Sequence, residues 1–351
     1  MKFGALVAAI GLMGTALESV QETQQEPRFT ERVDVSRVVV DVRVIDNYGT
    51  PVVDLVADDF AVKIDGKAAR IESARWVGGS ESQEAANARN LTPKSVPPDA
   101  SSPGRLIVFL IQKDLEGPRI RGLMEMLRQS VSFLDTLGPA DRVAILSFDS
   151  HLKIWIDFTN DLEGLRRVLK RGILMERPPV LQGTGSISLV DRLPQTVGQR
   201  TYHIEKGLRL IAEALEPLPG AKSIVLLGHG FGRFNPGIAS ALVETSIVTM
   251  EHEYEETVRA LAASRASVFS LDVTRADYHS LEQGLWQVAD ETGGFYERTH
   301  LFPEVAMKKL RGALAGYYVL FVEKPDMASR PRSIDVDLTR RKGNVYARSG
   351  F

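Results

Sequence analysis

The order of apolar and polar positions divides the chain into two kinds of segment. In residues 28–78 the two alternate. "VDVSRVVVDVRVID" switches at period two, the mark of a strand with one buried face. Asn47-Tyr48-Gly49-Thr50-Pro51 then supplies a turn. In "FAVKIDGKAARIESARWV", Asp65-Gly66 stands between two strand-like runs and predicts a hairpin. Residues 28–78 therefore read as a small all-β unit. Residues 79–104 are poor in large apolar side chains, cannot offset their ordering entropy by burial, and read as a flexible linker.

From Arg105 the pattern changes. "RLIVFLI" is an unbroken apolar run, as expected of a strand covered on both faces. "RIRGLMEMLRQSVSFLDTL" repeats at helical spacing. "DRVAILSF" and "HLKIWIDF" meet at Asp149-Ser150 and are expected to pair as a hairpin, and Asp161 is placed to cap the helix "LEGLRRVLK". A helix "TYHIEKGLRLIAEAL" and a buried strand "SIVLLG" follow. Next come a helical region from Ile238 to about Ser264, a strand "SVFSLDV" and a helix "SLEQGLWQVADET" ended by Gly293 and Gly294. A short edge strand "FYER" and a last helix over 302–315 complete the series. This order predicts an α/β fold over 105–316: a doubly wound, mostly parallel sheet with helices on both faces. From Tyr317 the β pattern returns in "YYVLFVE", "SIDVDLT" and "NVYARSGF". Few strands alone are marginal, so 317–351 is expected to pack with 28–78 into a sandwich-like unit.

Bulk properties narrow the function classes. A chain of 351 residues accommodates two domains. Its formal net charge of −2 and lack of a Lys/Arg run argue against nucleic acid or an anionic membrane as partner. Without cysteine there is no disulfide, thiol nucleophile, Cys-ligated metal or lipid-modified N-terminal Cys. The first residues, "MKFGALVAAIGLMGTALES", place Lys2 before an apolar run from Phe3 to Leu17, with small Gly14-Thr15-Ala16 near its end. This is the pattern of a signal peptide over 1–16, cleaved near Ala16. The run is short for a membrane span, which needs about 20 apolar residues, and no other stretch is long and apolar enough. The expected location is outside the cytoplasm, periplasmic or extracellular.

The α/β order has a family likeness. A hairpin strand pair after the first helix, then alternating strands and helices, resembles the von Willebrand factor type A (VWA) domain over about residues 105–316. "LGPADRVAILSFDSHLKIWIDFTND" is similar to that family's second and third strands, and "VADETGGFYER" to its late helix and Gly-Gly turn. The flank "VVVDVRVIDNYGTPVVDLVADDFAVKIDGKAARI" and the tail ending "ARSGF" resemble the VWFA-related proteins abundant in Acidobacteria.

The resemblance implies a candidate site. VWA domains commonly hold Mg²⁺ or Mn²⁺ through Asp-x-Ser-x-Ser after the first strand, a Thr from a later loop and an Asp after the fourth strand. Hard cations want such oxygen donors. Here that first motif falls on Gln112-Lys113-Asp114-Leu115-Glu116. The Thr position falls on Thr201, with Thr184 in "QGTGS" as the rival, and the late Asp position holds His229. Two carboxylates are thus replaced by an amide and an imidazole, and Lys113 adds a positive charge. The expectation is a degenerate, metal-free polar rim. Mg²⁺ or Mn²⁺ would bind only if Asp114, Glu116 and Thr201 supplied the oxygens.

Other chemistry has less support. "GHGFGRFNPG" follows a strand and precedes the expected helix, but its spacing matches no phosphate-binding fingerprint, so a tight turn is the reading. His229 as a general base would need a nucleophile and an orienting acid; no Gly-x-Ser-x-Gly elbow is present, and Ser147, Asp114 and Asp272 are merely at other strand ends. His151, His203, His252, His279 and His300 lack metal-ligand spacing and read as solvated or capping residues. The segment 172–200 is long for a compact domain and is expected near the same rim. The functional expectation is binding of another protein, or adhesion, through the carboxyl rim of the sheet, without catalysis. A hydrolase using His229 and the acidic rim, or a structural envelope component, are the alternatives.

Overall fold

The computed structural model describes residues 37–78, 104–183, 185–234, 248–250, 253–323 and 333–350. The expected signal peptide, residues 28–36, the linker apart from Gly104, Thr184, His252 and residues 324–332 lie outside the described residues.

The sheet predicted from the apolar runs is present. Strands β5 (Leu106–Gln112), β8 (Lys222–Gly228) and β11 (Ala266–Asp272) are buried at every position. They lie in a six-stranded sheet with β6 (Arg142–Phe148), β7 (Leu152–Thr159) and β12 (Tyr296–Arg298), in the order β12-β11-β8-β5-β6-β7. Every pairing is parallel except the β6–β7 hairpin. Successive residues face opposite sides, so each strand serves two cores. Ile107, Phe109, Ile111, Val225, Leu227, Phe269 and Leu271 meet helices α1 (Gly117–Phe133), α2 (Leu162–Arg167) and α6 (Pro303–Leu314). Val108, Leu110, Ile224, Leu226 and Val268 meet α3 (Ile204–Leu215), α4 (Tyr254–Ala263) and α5 (Glu282–Glu291) on the other side. Asp161 caps α2, its carboxylate accepting the Glu163 N–H at 3.1 Å.

The remaining strands form two antiparallel sheets. In one, β1 (Arg37–Ile45) lies between β15 (Asn344–Ala347) and β13 (Gly316–Glu323), and β13 pairs with β4 (Ile71–Gly78). In the other, β2 (Phe60–Ile64) lies between β14 (Ile334–Leu338) and β3 (Lys67–Ala69). One apolar cluster joins them, including Val42, Phe60, Val62, Trp76, Tyr318 and Ile334. Asp65 and Gly66 both have positive φ, 48° and 76°, as a two-residue hairpin turn requires. The second arm of that hairpin is divided: β3 stays with β2, while β4 crosses to the other sheet.

These outer strands meet the parallel sheet at its amino ends. Buried Arg43 of β1 donates to Ser267 Oγ at 2.8 Å and Ser223 Oγ at 3.4 Å, both at strand starts, and lies over the Phe269 and Tyr317 rings. Arg265 pairs with Asp41 at 2.5 Å. Arg105, just before β5, pairs with Asp141 and donates to Leu314 O at 3.0 Å. The carboxyl ends of β5, β8 and β11 are at the opposite edge.

Two expectations are corrected. Residues Ile238 to Ser264 are not one helical region: Val248–Thr249 form a strand, β10, antiparallel to β9 (Arg233–Phe234), and α4 begins at Tyr254. Two β-branched residues at the pairing positions favour extended chain over helix. For the same reason the turn after "LLG" does not lead directly into a helix. Gly230 and Gly232 adopt positive φ, 108° and 103°, and bring the chain into β9. The segment after α2 also keeps more helical structure than a loop: a wide turn over Val168–Gly172, a further turn over Ile173–Met175 and a short helix Gln195–Gly198.

Candidate functional site: the carboxyl rim of the parallel sheet

Gln112 ends β5 and is buried. Its Nε2 donates to Gly230 O at 2.8 Å, and its Oε1 accepts the His229 N–H at 3.0 Å. The amide thus clamps the turn after β8 with both of its functions, leaving the Oε1 occupied. Gly228 makes room for this crossing, since a Cβ there would lie 3.1 Å from Gln112 Oε1 and 2.8 Å from Leu285. Lys113 continues the strand with its N–H on Phe148 O at 2.7 Å.

Asp114 turns the chain into α1. Its Oδ1 accepts the Glu116 N–H at 2.9 Å. Its Oδ2 pairs with Arg119 Nη1 at 2.5 Å, and the same nitrogen is 3.0 Å from Glu116 Oε2. One guanidinium from the first turn of α1 therefore sits between the two carboxylates. Burial acts to raise the Asp114 carboxyl; the Glu116 N–H, Arg119 and His229 outweigh it and hold the group below its ordinary range. His229 Nε2 is 3.8 Å from Asp114 Oδ2, and its Nδ1 is buried with no hydrogen-bond partner among the described residues. Burial, then the charge of Arg119, push the His229 pKa down to about 4 against the pull of Asp114 and Asp272, so the ring is neutral at pH 7.

The structure adds a group set aside in the sequence. Asp272 ends β11 and is 1% exposed. Its Oδ1 accepts the Thr274 N–H at 2.8 Å; its Oδ2 meets His279 Nε2 at 2.8 Å and the Tyr296 hydroxyl at 2.9 Å. Tyr296 OH is also 2.9 Å from Glu282 Oε2, so its single hydrogen is shared between the two carboxylates, and Arg298 holds both Glu282 oxygens at 2.7 and 2.9 Å. Burial would raise the Asp272 carboxyl, yet His279, the Thr274 N–H and Tyr296 keep it lowered. Asp272, His279 and Glu282 each offer a donor atom within 4.8 Å of the others. All three already have protein partners, and the Arg298 cation is bidentate on Glu282, so this is a closed hydrogen-bond network. His279 and His300 are thus not solvated: His300 Nε2 is 2.9 Å from Asp277 Oδ1. The readable signal was the acidic residue closing "SLD", with His279 and Glu282 on the following loop and helix.

Gln112, Lys113, Asp114, Glu116 and His229 therefore come together at the rim. Thr201 is fully buried beside Phe148, both flanking Gly207, and its hydroxyl donates back to Val197 O at 3.1 Å. Thr184 lies outside the described residues. Ser147 is buried on the other face of the sheet and accepts the Trp155 indole N–H at 2.8 Å. The 172–200 segment is tied to β7 by Asp157, which accepts the Leu189 N–H at 2.8 Å and the Ser188 hydroxyl at 2.6 Å. Between the segment and β7 lies a cleft of about 80 Å³ lined by Ile154, Pro178, Pro179, Leu181 and Leu193.

The rim is also apolar in places. Leu115, Tyr202, Tyr278, Leu301 and Phe302 are 64 to 77% exposed, on loops outside regular elements or at helix starts. Among the described residues no helix is long and apolar enough to cross a membrane.

The α/β half has the hairpin edge and parallel centre expected from the sequence. No family model and no curated protein matches the chain. Solved structures resemble it coarsely. The PilB minor pilin from Streptococcus sanguinis is 14% identical with a TM-score of 0.36, over 60% of each chain. An aerotolerance-related membrane protein from Bacteroides fragilis NCTC 9343 is 15% identical with a TM-score of 0.39, over 60% of this chain and 98% of that one. Proximal thread matrix protein 1 from the mussel byssus, with a zinc-occupied MIDAS motif, is 12% identical with a TM-score of 0.38, over 62% and 47%. The present chain spans less than two thirds of the pilin and of the byssus protein.

Proposed function

We propose that this chain is a non-catalytic binding module of an exported protein, which holds another protein at the carboxyl rim of its parallel sheet without a resident metal ion. The observation that carries this reading is Arg119. Its guanidinium bridges Asp114 and Glu116, so the place between the carboxylates that would attract a divalent cation is already held by the protein's own cation. Gln112 adds no free oxygen, because its Oε1 holds the His229 N–H. The residues after β5 thus fit a guanidinium better than Mg²⁺ or Mn²⁺. Around this cross-linked polar centre stand the exposed Leu115, Tyr202, Tyr278, Leu301 and Phe302. Aromatic and large apolar side chains beside a rigid polar centre are what protein interfaces use, and they supply contact area at small entropic cost. Export rests on Lys2 and the apolar run after it.

Two measurements test the two parts. Thermal unfolding with millimolar Mg²⁺ or Mn²⁺, against chelator, should give the same midpoint, since only a native-state ligand raises it. A clear upward shift that Asp114→Ala removes would overturn the metal-free part. Affinity capture from extracts of the cells that make the protein should recover a partner with the wild-type chain and lose it with Leu115→Glu/Tyr278→Glu. A partner retained equally by that variant would move the binding surface away from the rim.

A further inference from the structure

Beside the rim centre, α1, the loop after β11 and the start of α6 enclose an open groove of about 490 Å³. Its lining includes Arg121, Met124, Arg128, Arg275, Leu301 and Glu304. The charges there are not balanced. Glu125 is satisfied by Arg128 and by Gln129, whose amide also reaches Glu304. Arg121 uses only its Nε, on Gly117 O at 3.2 Å, and Arg275 has no hydrogen-bond or ion-pair partner among the described residues. Both are exposed. Two guanidiniums without carboxylates therefore face one groove. Met124 and Leu301, 50 and 64% exposed, give the same groove an apolar wall. Arginine presents its N–H groups as a planar fork that matches a carboxylate.

We propose that this groove is a docking site for an acidic peptide segment, one that places an Asp or Glu carboxylate between Arg121 and Arg275 and a neighbouring large apolar side chain against Met124 and Leu301. The proposal rests on the rim-binding reading and names the partner's chemistry. Charge complementarity selects this occupant: three arginines outnumber Glu125 and Glu304 in the lining, so a basic segment would meet a net positive wall, and a purely apolar one would leave Arg121 and Arg275 without a carboxylate. The groove is built by the same features that shape the rim. Gly122, between the two groove residues Arg121 and Met124, packs against the Val273 carbonyl, which brings α1 directly beside the loop bearing Arg275.

The test is selection of short random peptides displayed on phage against the immobilised full chain, followed by affinity measurement of the winners as synthetic peptides. The expected result is enrichment of Asp or Glu next to Leu, Phe or Met, with affinity falling about tenfold or more in Arg121→Gln/Arg275→Gln and on replacing the peptide's acid by its amide. Both arginines are exposed, and circular dichroism of the variant should match wild type. Acidic peptides that bind the double variant equally well would overturn the groove. Peptides enriched without an acid, and lost in Leu115→Glu/Tyr278→Glu but not in the arginine variant, would overturn the groove while leaving rim binding intact. Enrichment of no sequence would overturn both.

Discussion

Asp272→Asn changes one atom and removes one buried charge. Oδ1 keeps the Thr274 N–H, but Oδ2, which takes His279 Nε2 at 2.8 Å and Tyr296 OH at 2.9 Å, becomes an amide nitrogen that can only donate. A hydrogen bond to a charged group contributes about 1.5–3 kcal/mol, so losing the His279 bond and the Asp272 share of the single Tyr296 hydrogen removes about 2–4 kcal/mol. Part of this returns. Tyr296 OH keeps Glu282 Oε2, and a neutral His279 can carry its proton on Nδ1 and accept from the new amide. The net loss should be about 2–3 kcal/mol at pH 7, read by urea unfolding with an unchanged slope. The loss should also depend on pH. The folded Asp272 carboxyl lies below its ordinary range, with burial opposing and its three donors prevailing. Such a carboxyl stabilises the native state above its unfolded pKa of about 3.9, and the contribution disappears as pH falls through the lowered folded value. Asn does not titrate. The gap between the two proteins should be widest above about pH 5 and should narrow below about pH 4. A loss under about 1 kcal/mol at pH 7, or a gap that stays constant into acid, would refute the reasoning.

Gly122→Ala should destabilise by about 2 kcal/mol or more in urea unfolding, because its Cβ would lie 1.8 Å from the Val273 carbonyl and backbone cannot step aside as a side chain can. The His229 ring should stay neutral from pH 7 to pH 5 by NMR and protonate near its lowered pKa of about 4. Since its unfolded value is about 6.5, stability should be lost as pH falls from there toward the folded value, and His229→Gln should flatten that limb. Asp157→Ala removes acceptors from Leu189 and Ser188, so trypsin should cut the 172–200 segment, at Arg192 or Arg200, faster than in wild type. An unchanged cleavage rate would mean that the packing of Leu189 and Leu193 alone holds the segment.

The fold was legible where one physical requirement dominated the sequence. Apolar runs such as the six residues Leu106–Ile111 and the four residues Ile224–Leu227 could be buried only between two helical layers, which gave β5 and β8, and the apolar-rich "SVFSLDV" gave β11. Asp65-Gly66 and Asp161 announced their turn and cap because few residues satisfy those backbone needs. Val248–Thr249 was misread because a short β-branched pair inside a longer apolar stretch carries little periodicity. At the rim, local sequence revealed the groups on one loop, Gln112 to Glu116. It did not reveal that Arg119, five residues beyond Asp114, folds back between the carboxylates. The Asp272 network was illegible for a different reason. Its members come from a strand, a loop, a helix start and a neighbouring strand, and only the β11–β12 register brings Tyr296 and Arg298 to Asp272.

The two ends of the parallel sheet are built for opposite purposes, and the difference is one of charge placement. At the amino ends, Arg43 and Lys222 are buried, and burial lowers both below their ordinary pKa ranges, that of Lys222 to about 8. Such desolvated cations are costly unless partners are held rigidly in place. Here Ser267, Ser223 and the Ser264 carbonyl accept from them, and Asp41 lies nearby on its own arginine. That arrangement commits β1 and β13 to this edge. At the carboxyl ends the cations are half-buried or exposed: Arg119 bridges Asp114 and Glu116, Arg298 holds Glu282, and Asp272 is bonded by His279 and Tyr296. Arg121 and Arg275 have no carboxylate partner among the described residues, and the exposed apolar tips stand beside them. Between the two ends a seven-residue strand spans about 23 Å, well beyond the roughly 7–10 Å within which substitutions usually couple. The two can therefore vary independently: the junction holds the β strands on the sheet, and the rim can change its partner without loosening them.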